Sequence, residues 1–327
     1  MSECLFQADA HMPIDNDTAR LDAAARAGWL YYIAGNTQDE IARKLKVSRA
    51  TAQRLVSLCL SQRLITFRLE HPITACMDLA SQLQERFGIG YSEVAPSDPD
   101  DPGGVSGVAE RAADLLETTL RSDTPAIIAI GTGRAMRAMV ERIPAMQARN
   151  HQLVSLVGNI SPDGSASAFD AIARLADLTG AQHYPMPLPM LLSSPEECSA
   201  LLAIHAVQRI HAIAAKATLR LVGVGQLDQT APLQVDGFLS RGEVLELIRL
   251  GAAGEIVGWA FNQDGQVIAG GSNQRLTSVP QAPVASGLTI GVAAGQAKAG
   301  PIAAALKGRL INGLITDEDT AKLLLAN

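Results

Sequence analysis

Two different spacings of apolar and polar residues follow one another along this chain, and they predict two kinds of structure. As far as about residue 87, apolar residues mostly recur at the spacing of amphipathic helices. From residue 108 onward, short and nearly continuous apolar runs alternate with helical patterns. Such runs between helices are typical of a parallel sheet covered on both faces. The pattern therefore predicts a helical front part joined to an α/β body.

The front part predicts a helical hairpin followed by a strand. Helices are predicted over 18–34, 38–45, from Ser48 to about Gln62 and 73–87, with a half-exposed alternating strand over 64–70. Thr37 and Glu40 form a capping-box pattern at the second helix, and Ser48 is an N-cap for the third. Residues 1–17 have few apolar groups and no period, so we expect disorder there.

The body predicts strands and helices in alternation. Strands are predicted at 125–131, 152–158, 182–186, 217–225, 255–261 and 288–294. Helices are predicted at 108–121, 133–142, 166–179, 195–202, 204–216, 241–250 and 298–307, and the tail 311–325 adds a short strand and a helix. The fold class is α/β: a winged helix-turn-helix over 18–72, a connector over 73–90, and a doubly wound, mostly parallel sheet over 91–327. The segment 95–107, rich in Pro, Gly and Asp, is predicted as a loop or linker.

Charge separates the same two parts. Residues 20–70 hold nine Lys and Arg against four Asp and Glu, a net charge of +5. Since the whole chain carries −6, the rest carries −11. This asymmetry predicts a small part that faces nucleic acid and a larger acidic body.

Other bulk features exclude several classes of protein. The 327 residues correspond to about two domains, and no apolar run reaches the roughly 18 residues that a membrane span needs. We interpret the N-terminus as lacking a signal peptide and the four scattered cysteines as reduced, buried residues, so we expect a cytoplasmic protein. We expect neither a metal site nor a cofactor.

The hairpin places small and apolar residues where a helix-turn-helix needs them. Ala42 lies where the two helix axes approach, Val47 fills the corner, and Ala52, Leu55 and Val56 face the core. Lys46 occupies a turn position that often holds Gly, so it must tolerate a positive φ or the turn differs. The predicted DNA-contacting residues are Gln38, Ser48, Arg49, Thr51, Gln53, Arg54 and, on the wing strand, Arg68. The alternative is a helical hairpin whose basic face is merely solvated.

Polar residues follow three strands of the predicted sheet. The segment IGTGRAM at 130–136 brings Gly131, Thr132, Gly133 and Arg134 to a strand end that opens a helix, and GNISPDGSAS at 158–167 brings Asn159, Asp163, Gly164 and Ser165 to the next. The strand that ends in VGVG at 222–225 adds Gly225. In open α/β sheets ligands bind at this edge. Tight strand-to-helix turns without a ligand are the alternative for each loop.

Three further residues can contribute charge to that edge. Asp236 and Glu255 can accept hydrogen bonds from sugar hydroxyls, and Lys298 can pair with a phosphate or a hydroxyl. Alone, each acid is more simply a solvated loop residue or a helix cap, and Lys298 is as readily a surface lysine. No Ser–His–Asp, zinc or paired-carboxylate pattern is found in the sequence.

These segments together resemble the SorC family of sugar-responsive bacterial transcriptional regulators. The resemblance covers about 18–325 and is based on AGWLYYIAGNTQDEIARKLKVSRATAQRLV, IGTGRAM, GNISPDG, LVGVG, LGAAGEIVGWAFNQDG, GQAK and NGLITDEDTA. WLYYIAGNTQDEIA, SPDGSAS and PMPLP are similar to a branch associated with polyol use.

The resemblance implies a DNA-binding front domain and an effector and oligomerisation domain similar to sugar-phosphate isomerases and deaminases. It implies that the Thr132 loop holds a phosphate or terminal hydroxyl, that Glu255 and Lys298 approach the sugar, and that the protein is a tetramer. The Gly-Gly common before that lysine is Ala294–Gly295 here, so both a sugar phosphate and an unphosphorylated polyol stay open as effector.

The sequence thus predicts a regulator whose operator affinity changes when a sugar phosphate or polyol binds. The first alternative is an isomerase- or deaminase-like enzyme with a DNA-binding tail, which would need a proton-transferring base. The second alternative is an interaction module that uses the hairpin for protein contacts.

Overall fold

The computed structural model describes residues 16–62, 64–65, 73–160, 165 and 171–326. The chain divides into two compact units, Met1–His71 and Pro72–Asn327. The disorder predicted for 1–17 lies outside the described residues as far as Asp15, and so does most of the strand predicted over 64–70.

The front unit contains the predicted helical hairpin. Its elements are α1 (Asn16–Gly28), a π-helical turn (Trp29–Ile33), α2 (Gln38–Leu45) and α3 (Arg49–Ser61). α2 has the predicted bounds, and α3 begins after its predicted cap, whereas α1 begins two residues before Thr18. Thr18, where the sequence places the start of this helix, is therefore inside its first turn.

Side-chain caps fix where the two hairpin helices begin. Thr37 Oγ1 accepts a hydrogen bond from the Glu40 N–H at 3.4 Å, and Glu40 Oε2 accepts one from the Thr37 N–H at 2.8 Å. Ser48 Oγ accepts the Thr51 N–H at 3.1 Å. Between them Lys46 has φ 55°, the left-handed conformation that ends α2. Of the two possibilities that the sequence left open for this lysine, a positive φ or a different turn, the structure has the positive φ.

The front unit has a small core of its own, and the π-helical turn after α1 interrupts the helical spacing of the residues that face it. Ala27, Ile41, Ala52 and Val56 are buried, and Ala42 and Val47 pack against them as the sequence predicts. Ala25 and Tyr31, two apolar-face positions of the helix predicted over 18–34, would be expected to face this core, but both are exposed. Ala25 lies about 160° from Ala27 around the helix axis. The π-helical turn, with more residues per turn, changes the phase before Tyr31.

A seven-stranded parallel sheet forms the centre of the second unit. Its strands, in spatial order, are β1 (Tyr91–Ala95), β10 (Gly313–Asp317), β9 (Leu288–Val292), β5 (Leu219–Val222), β2 (Ile127–Ile130), β3 (Gln152–Ile160) and β4 (Gln182–Pro189). A second, antiparallel sheet contains β6 (Gly225–Gln226), β7 (Ala252–Ile256) and β8 (Trp259–Asn262). The predicted doubly wound, mostly parallel architecture is confirmed.

Helices cover both faces of the large sheet. They are α4 (Thr74–Phe87), α5 (Ser106–Leu120), α6 (Arg134–Val140), α7 (Ile172–Thr179), α8 (Pro195–Leu202), α9 (His205–Ala215), α10 (Pro232–Val235), α11 (Arg241–Arg249), α12 (Ala299–Lys307) and α13 (Glu318–Ala326). Along β2, Ile128 and Ile130 join one apolar cluster with α5 and α6, while Ala129 joins the other with α9 and α12. Successive residues of one strand thus face two separate cores.

The sequence-based strand predictions need three corrections. The strand predicted over 255–261 is a hairpin, because Val257 and Gly258 both have positive φ and turn the chain between β7 and β8. The strand predicted over 217–225 is divided between the two sheets as β5 and β6. β1 was not predicted. Its five residues lie at one end of the sheet, beside β10.

Cys59, Cys76 and Cys198 are buried free thiols, as predicted, and burial raises the pKa of each. In the described part of the chain no helix by itself is long and apolar enough to cross a membrane. One sharply bent pair, α8 with α9, meets that length and composition test.

Candidate functional site

The exposed face of α3 carries the predicted DNA-contacting side chains. Arg49, Gln53 and Arg54 are exposed, whereas Ala52, Val56 and Cys59 of the same helix are buried. The first two turns of α3 therefore offer solvent two guanidinium groups and an amide. This is the end of a recognition helix that enters a major groove.

Hydrogen bonds organise the polar residues around the start of α3. The Ser48 and Thr51 hydroxyl oxygens lie 2.9 Å apart. Arg54 Nη2 donates to Thr51 Oγ1 at 3.4 Å, and Arg54 Nε donates to the Ala50 carbonyl at 3.3 Å. The Arg54 side chain is thus folded back along its own helix. It must release these two hydrogen bonds before it can extend to a base.

Arg49 has a partner that the sequence did not indicate. Its Nε lies 3.5 Å from Asp39 Oδ1, and the two side chains are 69% and 64% exposed. Asp39 belongs to the first turn of α2, where an acid is favourable near the helix N-terminus. The position of Asp39 in the first turn of a helix can be recognised from the sequence, but its pairing with Arg49 across the turn cannot.

Gln38, predicted to face a phosphate, opens α2 and is half-buried. With Tyr31, Thr37, Asp39 and Arg49 it lines a shallow concavity at the N-terminus of α2. Backbone N–H groups and the positive helix end favour an anion at such a position. Arg68, the predicted wing residue, lies outside the described residues.

In the second unit, a pocket of about 120 Å³ lies at the carboxyl ends of the central strands. After β2 the chain adds β3 and β4 on one side, and β5 then returns to the other side of β2. The loops after β2 and β5 both reach this pocket. Such a reversal of strand order opens a crevice between neighbouring loops, where ligands bind in open α/β folds.

Seven predicted residues from separate segments converge there. They are Thr132, Gly133, Arg134, Gly225, Asp236, Glu255 and Lys298. Gly133 has φ 108° and is the N-cap residue of α6, so the loop after β2 passes close to the pocket without a side chain at that point.

Of the other five predicted residues, Gly131 and Ser165 are described and do not line the pocket. Gly131 lies beneath it, donating its N–H to the Leu221 carbonyl at 2.8 Å. Asp163 and Gly164 lie outside the described residues, as does the side chain of Asn159, the last residue but one of β3.

An ion pair joins two of the lining residues. Arg134 Nη2 lies 2.6 Å from Asp236 Oδ1, and these side chains are 51% and 16% exposed. Arg134 begins α6, and Asp236 directly follows α10, so the pair links the loop after β2 to the segment between β6 and α11. Asp236 is therefore a paired carboxylate, unlike the solvated loop acid considered from sequence.

A second acid and base lie deeper in the pocket. Glu255 Oε2 accepts the Gly258 N–H at 2.8 Å. Burial raises the pKa of Glu255, while this hydrogen bond and the charge of Lys298 act in the opposite direction. Burial lowers the pKa of Lys298, which Glu255 raises and Arg134 lowers. The charged groups of the pocket thus influence one another.

Gly225 leaves the space that the Glu255 carboxylate occupies. A Cβ at Gly225 would lie 2.1 Å from Glu255 Oε1. Gly225 and Glu255 are opposite each other in the antiparallel ladder of β6 and β7. A side chain at position 225 would therefore displace the carboxylate.

The apolar wall of the pocket was not predicted. Met190, Leu233, Phe238 and Val257 line it beside the polar groups. Their segments have no local signature beyond ordinary core patterning, so only tertiary structure brings them together. Within the described residues, no group of three or more His, Cys, Asp or Glu side chains could hold a metal ion.

Comparison with known families and proteins gives one consistent answer. Residues 71–326 match the family model described as "Putative sugar-binding domain". The chain is 32% identical over 302 residues to the erythritol catabolism regulatory protein EryD of Brucella abortus, covering 92% of this chain and 96% of that protein. It is 30% identical over 321 residues to the transcriptional regulator LsrR of Klebsiella pneumoniae, covering 94% of each.

A solved structure shares the whole architecture. The full-length sorbitol operon regulator SorC from Klebsiella pneumoniae superimposes with a TM-score of 0.68 at 25% identity, covering 94% of this chain and 99% of that one. These relatives are regulators rather than enzymes.

Proposed function

The chain belongs to the SorC family of transcriptional regulators, and from that premise we propose which residues contact operator DNA and which bind the effector. The protein regulates sugar or sugar-alcohol catabolism, and its operator affinity responds to a bound carbohydrate. It is a regulator and not an enzyme, which answers the first alternative raised by the sequence.

The proposed operator contacts are Gln38, Ser48, Arg49, Thr51, Gln53, Arg54 and Arg68. For the described members, support comes from the exposure of Arg49, Gln53 and Arg54 on α3 and from the caps that order its start. Arg can bond a guanine edge at two atoms and Gln an adenine edge, while Ser and Thr hydroxyls suit phosphates. α3 is accordingly the recognition helix.

The proposed effector site is the pocket at the strand-order reversal. The observation that carries this proposal is the convergence there of Thr132, Gly133, Arg134, Gly225, Asp236, Glu255 and Lys298. Carboxylates accept hydrogen bonds from hydroxyls, and Lys and Arg donate to hydroxyl oxygens. Because EryD is named for erythritol catabolism and SorC for the sorbitol operon, we take a polyol or its phosphate as the effector class.

The proposed mechanism is linkage between the two binding events. The effector favours one arrangement of subunits in a cytoplasmic homo-oligomer, for which a tetramer is the proposed state. Paired recognition helices reach half-sites about 34–36 Å apart only in some arrangements. The coupling is reciprocal, so operator DNA must change effector affinity by the same factor.

A titration of promoter DNA tests this proposal. Binding of the full chain to a labelled fragment of its own promoter is measured by fluorescence anisotropy at several salt concentrations, with and without erythritol, sorbitol and their phosphate esters. Phosphate contacts predict a steep linear fall of log K with log salt. At least one carbohydrate should shift the operator affinity.

Two results would contradict the proposal. Failure to bind the promoter fragment at low salt, with and without each carbohydrate, would exclude the DNA-contacting role of α3. Operator binding that no polyol or polyol phosphate alters would exclude the pocket as the effector site for this class.

A further inference from the structure

The charged side chains that line the pocket cancel one another. Among the described lining residues, Arg134 and Lys298 are the cations, and Asp236 and Glu255 are the carboxylates. Burial pushes both Glu255 and Lys298 toward their neutral forms. If a proton moves from Lys298 to Glu255, the sum is still zero. The pocket therefore has no excess positive charge in either state.

The outer cation is already neutralised. Arg134 Nη2 is 2.6 Å from Asp236 Oδ1, and the Asp236 side chain is only 16% exposed. A carboxylate with so little water around it depends on its guanidinium partner more than an exposed acid does. A ligand that takes Arg134 from Asp236 leaves that carboxylate with less compensation.

The inner cation also shares the pocket with a carboxylate. Lys298 and Glu255 line the same pocket, and each shifts the pKa of the other toward its charged form. Gly258 holds the Glu255 carboxylate through its N–H. An anion placed beside Lys298 would therefore also approach a fixed acceptor oxygen.

These charges discriminate between two kinds of ligand. A phosphate monoester carries a charge of about −1.5 to −2 at neutral pH, and it gains little from cations that carboxylates already compensate. Here Asp236 and Glu255 would repel it. A neutral polyol can donate hydroxyl protons to both carboxylates and accept hydrogen bonds from Arg134 and Lys298. Each of these four side chains then gains a hydrogen-bond partner, and the ligand adds no net charge to the pocket.

Two segments of the second unit that lie outside the described residues contain no cationic side chain. Residues 161–164 and 166–170 include Asp163 and Asp170 but no Lys or Arg. Whatever contribution they make to the ligand site, they cannot supply positive charge to it.

We propose that Asp236 makes this pocket selective for unphosphorylated polyols, by neutralising Arg134 and repelling a phosphate group. The inference rests on the proposed function of the pocket as the effector site. It narrows the two effector classes left open by the sequence to one, and it assigns the choice to a single carboxylate.

The test is a charge change at position 236 with a matched control. Asp236→Asn keeps the shape and removes the negative charge, and Asp264→Asn removes one from an exposed ion pair with Lys307 outside the lining set. Calorimetry on the full chain gives Kd for erythritol and erythritol 4-phosphate, and for sorbitol and sorbitol 6-phosphate, at one ionic strength.

The expected result is a change of selectivity. The unaltered protein and Asp264→Asn should bind the better of the two neutral polyols at least tenfold more tightly than its phosphate ester. Asp236→Asn should shift that ratio at least tenfold toward the ester, because a freed guanidinium makes a charge-assisted pair with phosphate. Asp236→Ser repeats the measurement if the Asn variant is unstable, as judged by its melting temperature without ligand.

Other outcomes separate this inference from the proposed function. If the phosphate ester binds more tightly to the unaltered protein, or if both variants at position 236 leave the ratio unchanged, the selectivity role is overturned while the pocket stays an effector site. If none of the four compounds binds or alters operator affinity, the proposed effector site and this inference fail together.

Discussion

Arg49–Asp39 in the front unit and Arg134–Asp236 in the second unit are the same pair of residue types in opposite surroundings. The first is 3.5 Å long with both side chains more than 60% exposed, and the second is 2.6 Å long with its carboxylate 16% exposed. An exposed pair contributes about 0–1 kcal/mol, so Arg49 can leave Asp39 at little cost. The partly buried pair resists exchange. Arg49 is therefore available for a phosphate-rich partner, whereas Arg134 stays paired with Asp236.

The largest expected effect tests the front side of this comparison. Arg49→Ala should weaken operator binding about ten- to hundredfold, since a bidentate contact to a base contributes about 1–3 kcal/mol. It should leave effector-induced stabilisation unchanged. Anisotropy titration measures the first and a thermal shift with polyol the second. Arg20→Ala, an exposed arginine on α1, is the control and should have little effect on either. Loss of both activities in Arg49→Ala would contradict the division between the units.

A glycine substitution tests the pocket side. Gly225→Ala puts a Cβ where Glu255 Oε1 now lies, so the carboxylate must move and polyol affinity should fall at least tenfold. Operator binding without effector should persist. Gly242→Ala, in α11, places its Cβ at an ordinary 3.9 Å from Ser240 Oγ and serves as control. Calorimetry with the polyol decides the matter, and unchanged affinity in Gly225→Ala would remove Glu255 from the site.

A milder change examines the exposed pair itself. Asp39→Asn should raise affinity for operator and for unrelated DNA severalfold, because one negative charge is removed beside the phosphates. The salt dependence of both complexes should be measured together with Asp22→Asn, an exposed acid on α1. A fall in operator affinity would instead show that Asp39 orients Arg49 for base contact.

The smallest expected effect concerns pH. Burial raises the pKa of Glu255 above its ordinary 4.5, so the folded protein holds this proton more tightly than the unfolded chain does. Its stabilising contribution is present at pH below 4.5 and is lost as the pH rises through the raised pKa. The free energy of unfolding relative to Glu255→Gln should therefore decline over that range, as urea titrations can measure. Glu246→Gln, at an exposed position of α11, is the control for replacing a glutamate outside the pocket.

The sequence predicted the front hairpin well because its determinants are local. Thr37, Glu40 and Ser48 satisfy backbone N–H groups within three residues, and such caps can be recognised without tertiary structure. The π-helical turn was not predicted. Its effect, the exposure of Tyr31, is visible in the structure but has no local pattern in the sequence.

In the body, the sequence predicted residues but not their partners. The loops after β2 and β5 were identified because parallel strands share an edge. The Arg134–Asp236 pair joins residues 102 positions apart, and no local pattern encodes that distance. The hairpin of β7 and β8 was missed because Val257 has a positive φ, which a β-branched residue rarely adopts.

The placement of β1 at the end of the sheet affects how the protein is made. Its ladder partner is β10, which leaves the ribosome roughly 220 residues later, on the order of ten to forty seconds at ordinary rates of synthesis. Until then β1 has no template, whereas the local contacts of the front hairpin can form early. A premature stop codon that removes only the last fifteen residues would delete the whole of β10 and leave β1 without its neighbour. Late truncations should therefore be as damaging to the body as early ones.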